Sequence, residues 1–170
     1  MKAAGVILAI VAALALQTTV LARFVIRGTL ATDLVLVVVV YVALSSGPVT
    51  GLLAGTVAGL AQDAMTSGVI GIGGLAKTVV GFLTGIAGSQ FIVAQPFPRF
   101  VVFFVATILH SVIFIGLYVL LDLRQFGTPY AAVTGQALGN AVVGVVAFQL
   151  VELLPGAVER RRTQKARIRR

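Results

Sequence analysis

The chain has 170 residues, of which 59% are hydrophobic and 11% charged, and its mean hydropathy is +1.08. Soluble domains carry about 25% charged and about 45–50% apolar residues, so a water-soluble fold of this length would leave too much apolar surface exposed. The net charge of +8 does not point to nucleic acid, because seven of the thirteen basic residues lie in the last eleven positions.

Apolar runs of membrane-spanning length recur along the chain. They are continuous, as at 34–44 and 101–109, and lack the apolar–polar alternation of barrel strands. The expectation is an all-α, polytopic membrane protein with six helical spans at about 3–22, 30–46, 48–65, 75–93, 99–121 and 129–154, then a basic tail over 157–170.

The first run follows Lys2. Ala13-Leu14-Ala15 resembles a signal-peptide cleavage site, but the run continues to Leu21, so it reads as an uncleaved span. Gln17 is a polar residue in its second half. Arg23, Arg27 and Gly28 mark a connection, and Asp33 opens a second, valine-rich run that is short for a bilayer. Either the run is tilted against thin lipid or its ends are shielded by protein. Ser45-Ser46-Gly47-Pro48 is a turn, with proline placed for the first helical position.

The third run carries Gly51, Gly55, Gly59 and Asp63 at intervals of four. Positions four apart share a helix face, so this is a stripe without bulk, suited to docking another helix. The loop 66–74 contains four glycines, and Lys77 follows near the start of the fourth run. Gly81/Gly85 and Gly135/Gly139 repeat the small-residue spacing. Asp63 and Lys77 are candidates for an ion pair across the glycine-rich turn, because pairing lowers the cost of burying either; the alternative is that each snorkels to the interface alone. Gln95-Pro96-Phe97-Pro98-Arg99 is a break. His110 lies in the middle of the fifth run, with Gln136 and Asn140 of the sixth as its expected hydrogen-bond partners. The fifth run offers His110 no other ionisable group for a relay. Pro155-Gly156 is expected to end the last span.

The tail residues Arg160, Arg161, Arg162, Lys165, Arg167, Arg169 and Arg170 predict a cytoplasmic C-terminus and a contact with anionic lipid of about 1 kcal/mol per charge. Six spans then place the N-terminus and the Arg99 loop inside as well. Arg23, Arg27 and Arg124 fall outside, a minor conflict with that rule. No cysteine and one histidine are present, which excludes thiolate chemistry and a multi-histidine metal site within the chain. No nucleophile–base pair, carboxylate pair, metal cluster or phosphate loop appears, so neither catalysis nor a cofactor is expected.

The order of features resembles the rod shape-determining protein MreD family. The residues that carry the resemblance are Gln17, Asp33, the run Leu34–Leu44, the stripe Gly51/Gly55/Gly59/Asp63 and the loop Ser67-Gly68-Val69-Ile70-Gly71. Thr32 departs, standing where the family usually has proline. The resemblance implies a non-enzymatic subunit of the bacterial cell-elongation machinery in the inner membrane. Its implied partners are MreC, RodA, the penicillin-binding transpeptidase and the actin-like MreB. It also implies a fold similar to the substrate-binding subunits of energy-coupling-factor transporters, and hence an alternative role as a capture subunit for a vitamin-type small molecule. The short loops and the absence of tryptophan favour the scaffold. A proton-coupled channel is disfavoured by the scarcity of intramembrane charge.

Overall fold

Leu34–Ser46 is built from Leu, Val, Ala, Tyr and Ser. A helix apolar all round has no face to offer water and must be buried or face lipid. The computed structural model puts it at the centre of a bundle. Residues 3–21, 32–66, 68–90, 95–123 and 130–168 are described, and the side chains of 4–19, 32–66, 68–90, 95–123 and 130–153. The helices are α1 (Ala3–Leu16, extended by a π turn over Gln17–Leu21), α2 (Leu34–Ser46), α3 (Pro48–Met65), α4 (Ile72–Gln90), α5 (Pro96–Leu120) and α6 (Tyr130–Ile168). There is no strand among the described residues.

Seven residues of α2 are buried, with Val35, Val39 and Val42 turned towards α1 and α3. Val6, Ile10, Ala13 and Leu14 of α1 and Ala54 and Ala58 of α3 meet them there. Leu36, Val37 and Val40 face the other way, onto Val80, Phe103, Ala106 and Ala141. At 13 residues α2 is about 20 Å long, short of a bilayer core of about 30 Å. Its N-terminal end is shielded by protein, as the next section details.

α3 and α4 are zipped antiparallel through the glycine stripe. A Cβ built on Gly51 would strike Gly81 and Ala43, one on Gly55 would strike the Lys77 carbonyl, and one on Gly59 would strike Gly74. Gly81 returns the contact to Gly51, and Gly85 lies on Pro48. The stripe's partner is therefore internal. Gly135 does not follow this pattern: a Cβ there would meet nothing within 4 Å. Gly139 is half-buried. The small residue of α6 that admits a neighbour is Gly144, which lies against the Phe103 ring. The turn between α2 and α3 rests on Gly47 at φ +87°, a conformation side chains disfavour.

Two boundaries differ from the sequence expectation. α4 starts at Ile72, not 75, because Asp63 caps it and draws Gly73 and Gly74 into its first turn. The last helix does not end at Pro155-Gly156 but runs to Ile168, through a segment rich in Arg, Lys, Gln and Ala, which favour helix. Ile72–Gln90, Pro96–Leu120 and Tyr130–Leu153 are long and apolar enough to cross a membrane. α1 and α2 are shorter apolar helices. Glycines and polar groups dilute the apolar character of α3.

Candidate functional site

The start of α2 gathers a polar side chain from every helix or the turn that extends it. Asp33 caps α2: its Oδ1 accepts from Leu36 N at 3.0 Å, as side-chain oxygens at this position do. Gln17, from the π turn after α1, accepts from Val35 N at 3.3 Å. Asn140 of α6 accepts from Asp33 N at 2.9 Å and donates to Thr107 of α5 at 3.2 Å. Gln62 of α3 reaches Asp33 Oδ1 from 3.5 Å, a long contact. Lys77 of α4 closes the set, with Nζ 2.8 Å from Asp33 Oδ2 and 3.2 Å from His110 Nε2. Asp33, Lys77, His110 and Asn140 are all buried.

The candidate Asp63–Lys77 pair does not form. Both oxygens of Asp33 lie with α2 and Lys77, whereas Asp63 Oδ2 accepts from the backbone N–H of Gly71 at 2.9 Å and of Gly74 at 3.0 Å. Asp63 thus satisfies the free amides at the start of α4, which every helix N-terminus exposes. Gly71, at φ +107°, turns the chain sharply enough to bring those amides back onto it. Lys77 looks instead to a carboxylate 44 positions earlier in sequence.

His110 is also bonded differently from expectation. Its partner is Lys77, not Gln136 or Asn140. An ammonium only donates, so His110 Nε2 accepts and Nδ1 carries the proton. The ring stacks on Phe114 with centroids 5.8 Å apart, and Phe114 meets Tyr118 at 4.9 Å. The histidine that looks isolated on its own helix sits against two ionisable groups from two other helices. Gln136 takes no part in the network among the described residues and lines a cavity of about 480 Å³ together with Asp33, Gln62, Lys77 and His110. Tyr118 Oη accepts from Val69 N at 3.2 Å and holds the α3–α4 loop over one wall.

At the opposite end of the bundle, Arg99 makes two parallel bonds to Glu152, at 2.8 and 2.6 Å, and its guanidinium lies 3.9 Å over the Phe148 ring. Arg99 is buried, so it is a tie between α5 and α6 rather than a loop charge. Sequence reasoning missed Gln62, Thr107 and the Glu152 partnership. The signal for Glu152 is a lone carboxylate in an apolar run, a position where a cation is expected within reach. Thr107 carried no signal, since threonine is common in such helices. Of the basic residues in the tail, Arg160, Arg161, Arg162, Lys165 and Arg167 have side chains outside the described set, and Arg169 and Arg170 lie outside the described residues. So do Arg23, Arg27, Gly28, Ser67 and Arg124.

A family model described as rod shape-determining protein MreD matches residues 1–155. The chain belongs to the MreD family. Membership implies a role in rod-shape determination, and MreD is not a known enzyme family. With its apolar helices, the chain is a membrane protein. No curated protein and no solved structure matches it significantly. The similarity to energy-coupling-factor subunits, and the capture role drawn from it, therefore gain no support. The MreD match takes in the whole α2 cluster, the Asp63 cap, the glycine zipper and the Arg99–Glu152 tie, and leaves out the basic tail.

Proposed function

We propose that the chain is a non-enzymatic integral subunit of the cell-elongation machinery that holds MreC beside the peptidoglycan synthesis proteins RodA and the penicillin-binding transpeptidase, with MreB on the cytoplasmic side. It sits in the bacterial inner membrane with six spans and both termini in the cytoplasm. The observation that carries this reading is the MreD family match. Two features support it. The interior charges are engaged in holding helices together: Asp33 with Lys77, Asp63 with the start of α4, Arg99 with Glu152. The outer faces of α1 (Ile7, Leu8, Val11) and α3 (Val49, Leu53, Val57) are apolar and exposed, as a surface facing lipid or a partner's single span requires.

The test is affinity purification of the tagged full-length chain from bacterial membranes in mild detergent. MreC is expected to copurify at a defined ratio. A chain that is folded and membrane-inserted but recovers no MreC overturns the reading.

A further inference from the structure

The cavity over the α2 cluster has a chemistry that the helix-tying role does not use. Two carboxylates, Asp33 and Asp63, and one ammonium, Lys77, border it, which leaves one negative charge among the described residues. Lys77 is directed onto Asp33 at 2.8 Å, so its charge is already answered. Asp63 engages Oδ2 with two amides, and its other oxygen takes no hydrogen bond among the described residues. Beside it, Gln62 Oε1 is buried with no hydrogen-bond partner among the described residues. A buried acceptor left unsatisfied is destabilising, and few are kept without a reason. The lining also carries the rings of Phe114 and Tyr118, in contact at 4.9 Å.

Surplus negative charge, an orphan acceptor and aromatic faces together describe the surroundings of an ammonium group. Carboxylate and amide oxygens accept its N–H bonds, and ring faces attract its charge. An anion meets the opposite: surplus negative charge and aromatic rings. A volume of about 480 Å³ lies within the range of ligand pockets. Val69 and Ile70, on the loop beside the cavity, are apolar and exposed, so acyl chains have a surface to lie on.

We propose that this cavity is a binding site for a protonated primary amine, with Gln62 and Asp63 accepting its hydrogen bonds and Phe114 facing its charge. Two sources present that chemistry: the ethanolamine headgroup of a phospholipid and a free soluble amine. The proposal goes beyond the scaffold reading and is measured without MreC, so the failure of either leaves the other standing.

The experiment uses the purified full-length chain. In one arm it is equilibrated with equimolar phosphatidylethanolamine and phosphatidylcholine of identical acyl chains, and retained lipid is counted by native mass spectrometry. Both headgroups are zwitterionic with a cationic nitrogen, but only ethanolamine donates N–H bonds. Wild type is expected to retain phosphatidylethanolamine about tenfold over phosphatidylcholine, equivalent to about 1.4 kcal/mol. In the other arm, protein carrying phosphatidylcholine alone is melted with ethanolamine hydrochloride or sodium chloride at equal ionic strength. A higher Tm with ethanolamine identifies a soluble amine as sufficient. Gln62→Leu is expected to bring the lipid ratio close to one and abolish the Tm difference. Phe114→Leu, which removes the ring and keeps Gln62 and Asp63, serves if Gln62→Leu does not fold. Equal retention of the two lipids together with equal melting in the two salts overturns the proposal. So does a folded Gln62→Leu protein with wild-type selectivity, or, where it does not fold, a folded Phe114→Leu protein with that selectivity.

Discussion

Replacing Gly55 by alanine adds one methyl group to the chain, and its effect separates a packed stripe from an idle one by sign. A Cβ there would lie 2.6 Å from the Lys77 carbonyl carbon and 2.9 Å from Thr78 N, against ordinary contacts of 3.4–4 Å. Both atoms are backbone, so no side chain can swing away, and α3 and α4 must separate. Overpacking of this kind costs about 1–3 kcal/mol. The separation also stretches the Thr56–Thr78 hydroxyl bond of 2.8 Å, and such bonds between membrane helices contribute about 0.6 kcal/mol. Alanine's better helix propensity offsets about 1 kcal/mol. The expected net effect is a loss of about 1–2 kcal/mol, seen as a Tm roughly 2–8 °C lower at about 2–4 °C per kcal/mol. Gly135→Ala is the matched control. Its Cβ meets nothing within 4 Å, so only the propensity gain remains and Tm holds or rises. Thermal unfolding of the three proteins in one detergent decides the matter. If Gly55→Ala melts at or above wild type, the zipper reasoning is refuted.

Asp33→Asn leaves Lys77 buried without its carboxylate and is expected to cost about 3–5 kcal/mol. Lys77→Met in the same background recovers part of that loss, and a double-mutant cycle reads the coupling directly. Asp63→Ala removes the cap of α4, at about 1 kcal/mol, and speeds hydrogen exchange at the Gly71 and Gly74 amides. Its effect adds to that of Lys77→Met without coupling, since the two side chains do not pair. Arg99→Lys keeps the charge but loses both the forked bond to Glu152 and the stacking on Phe148. It lowers Tm more than Glu152→Gln, which alters the exposed partner of the pair.

What the sequence discloses and what it hides divide by distance along the chain. The glycine stripe is legible because its meaning is periodic: four-residue spacing says that a backbone approaches, and α4, the next helix in the chain, supplies it. Asp33 is legible as the residue that opens a valine-rich run, and its role as the cap comes from the structure. The partner of Lys77 is not. Sequence proximity favours Asp63, 14 positions away, and the bundle brings Asp33 closer from 44 positions away. A local signal does exist for Asp63, since a carboxylate followed by a glycine-rich loop and a helix has free amides at hand. His110 is misleading for the same reason, because only its own helix is visible in sequence. α2 shows why a run too short for a bilayer is tolerated: Gln17, Asn140, Lys77 and Gln62 replace the water or headgroups its first turn would otherwise need.

Family membership gives this chain a role in rod-shape determination, and its helices are held together by that buried cluster. The most direct test is complementation of rod-shaped bacteria depleted of their own MreD-family protein, with cell width measured and the amount of chain in the membrane quantified. Wild type and Glu152→Gln are expected to restore rods, and Asp33→Asn to leave rounded cells with less chain in the membrane. Rounded cells carrying a full membrane complement of the wild-type chain contradict the account.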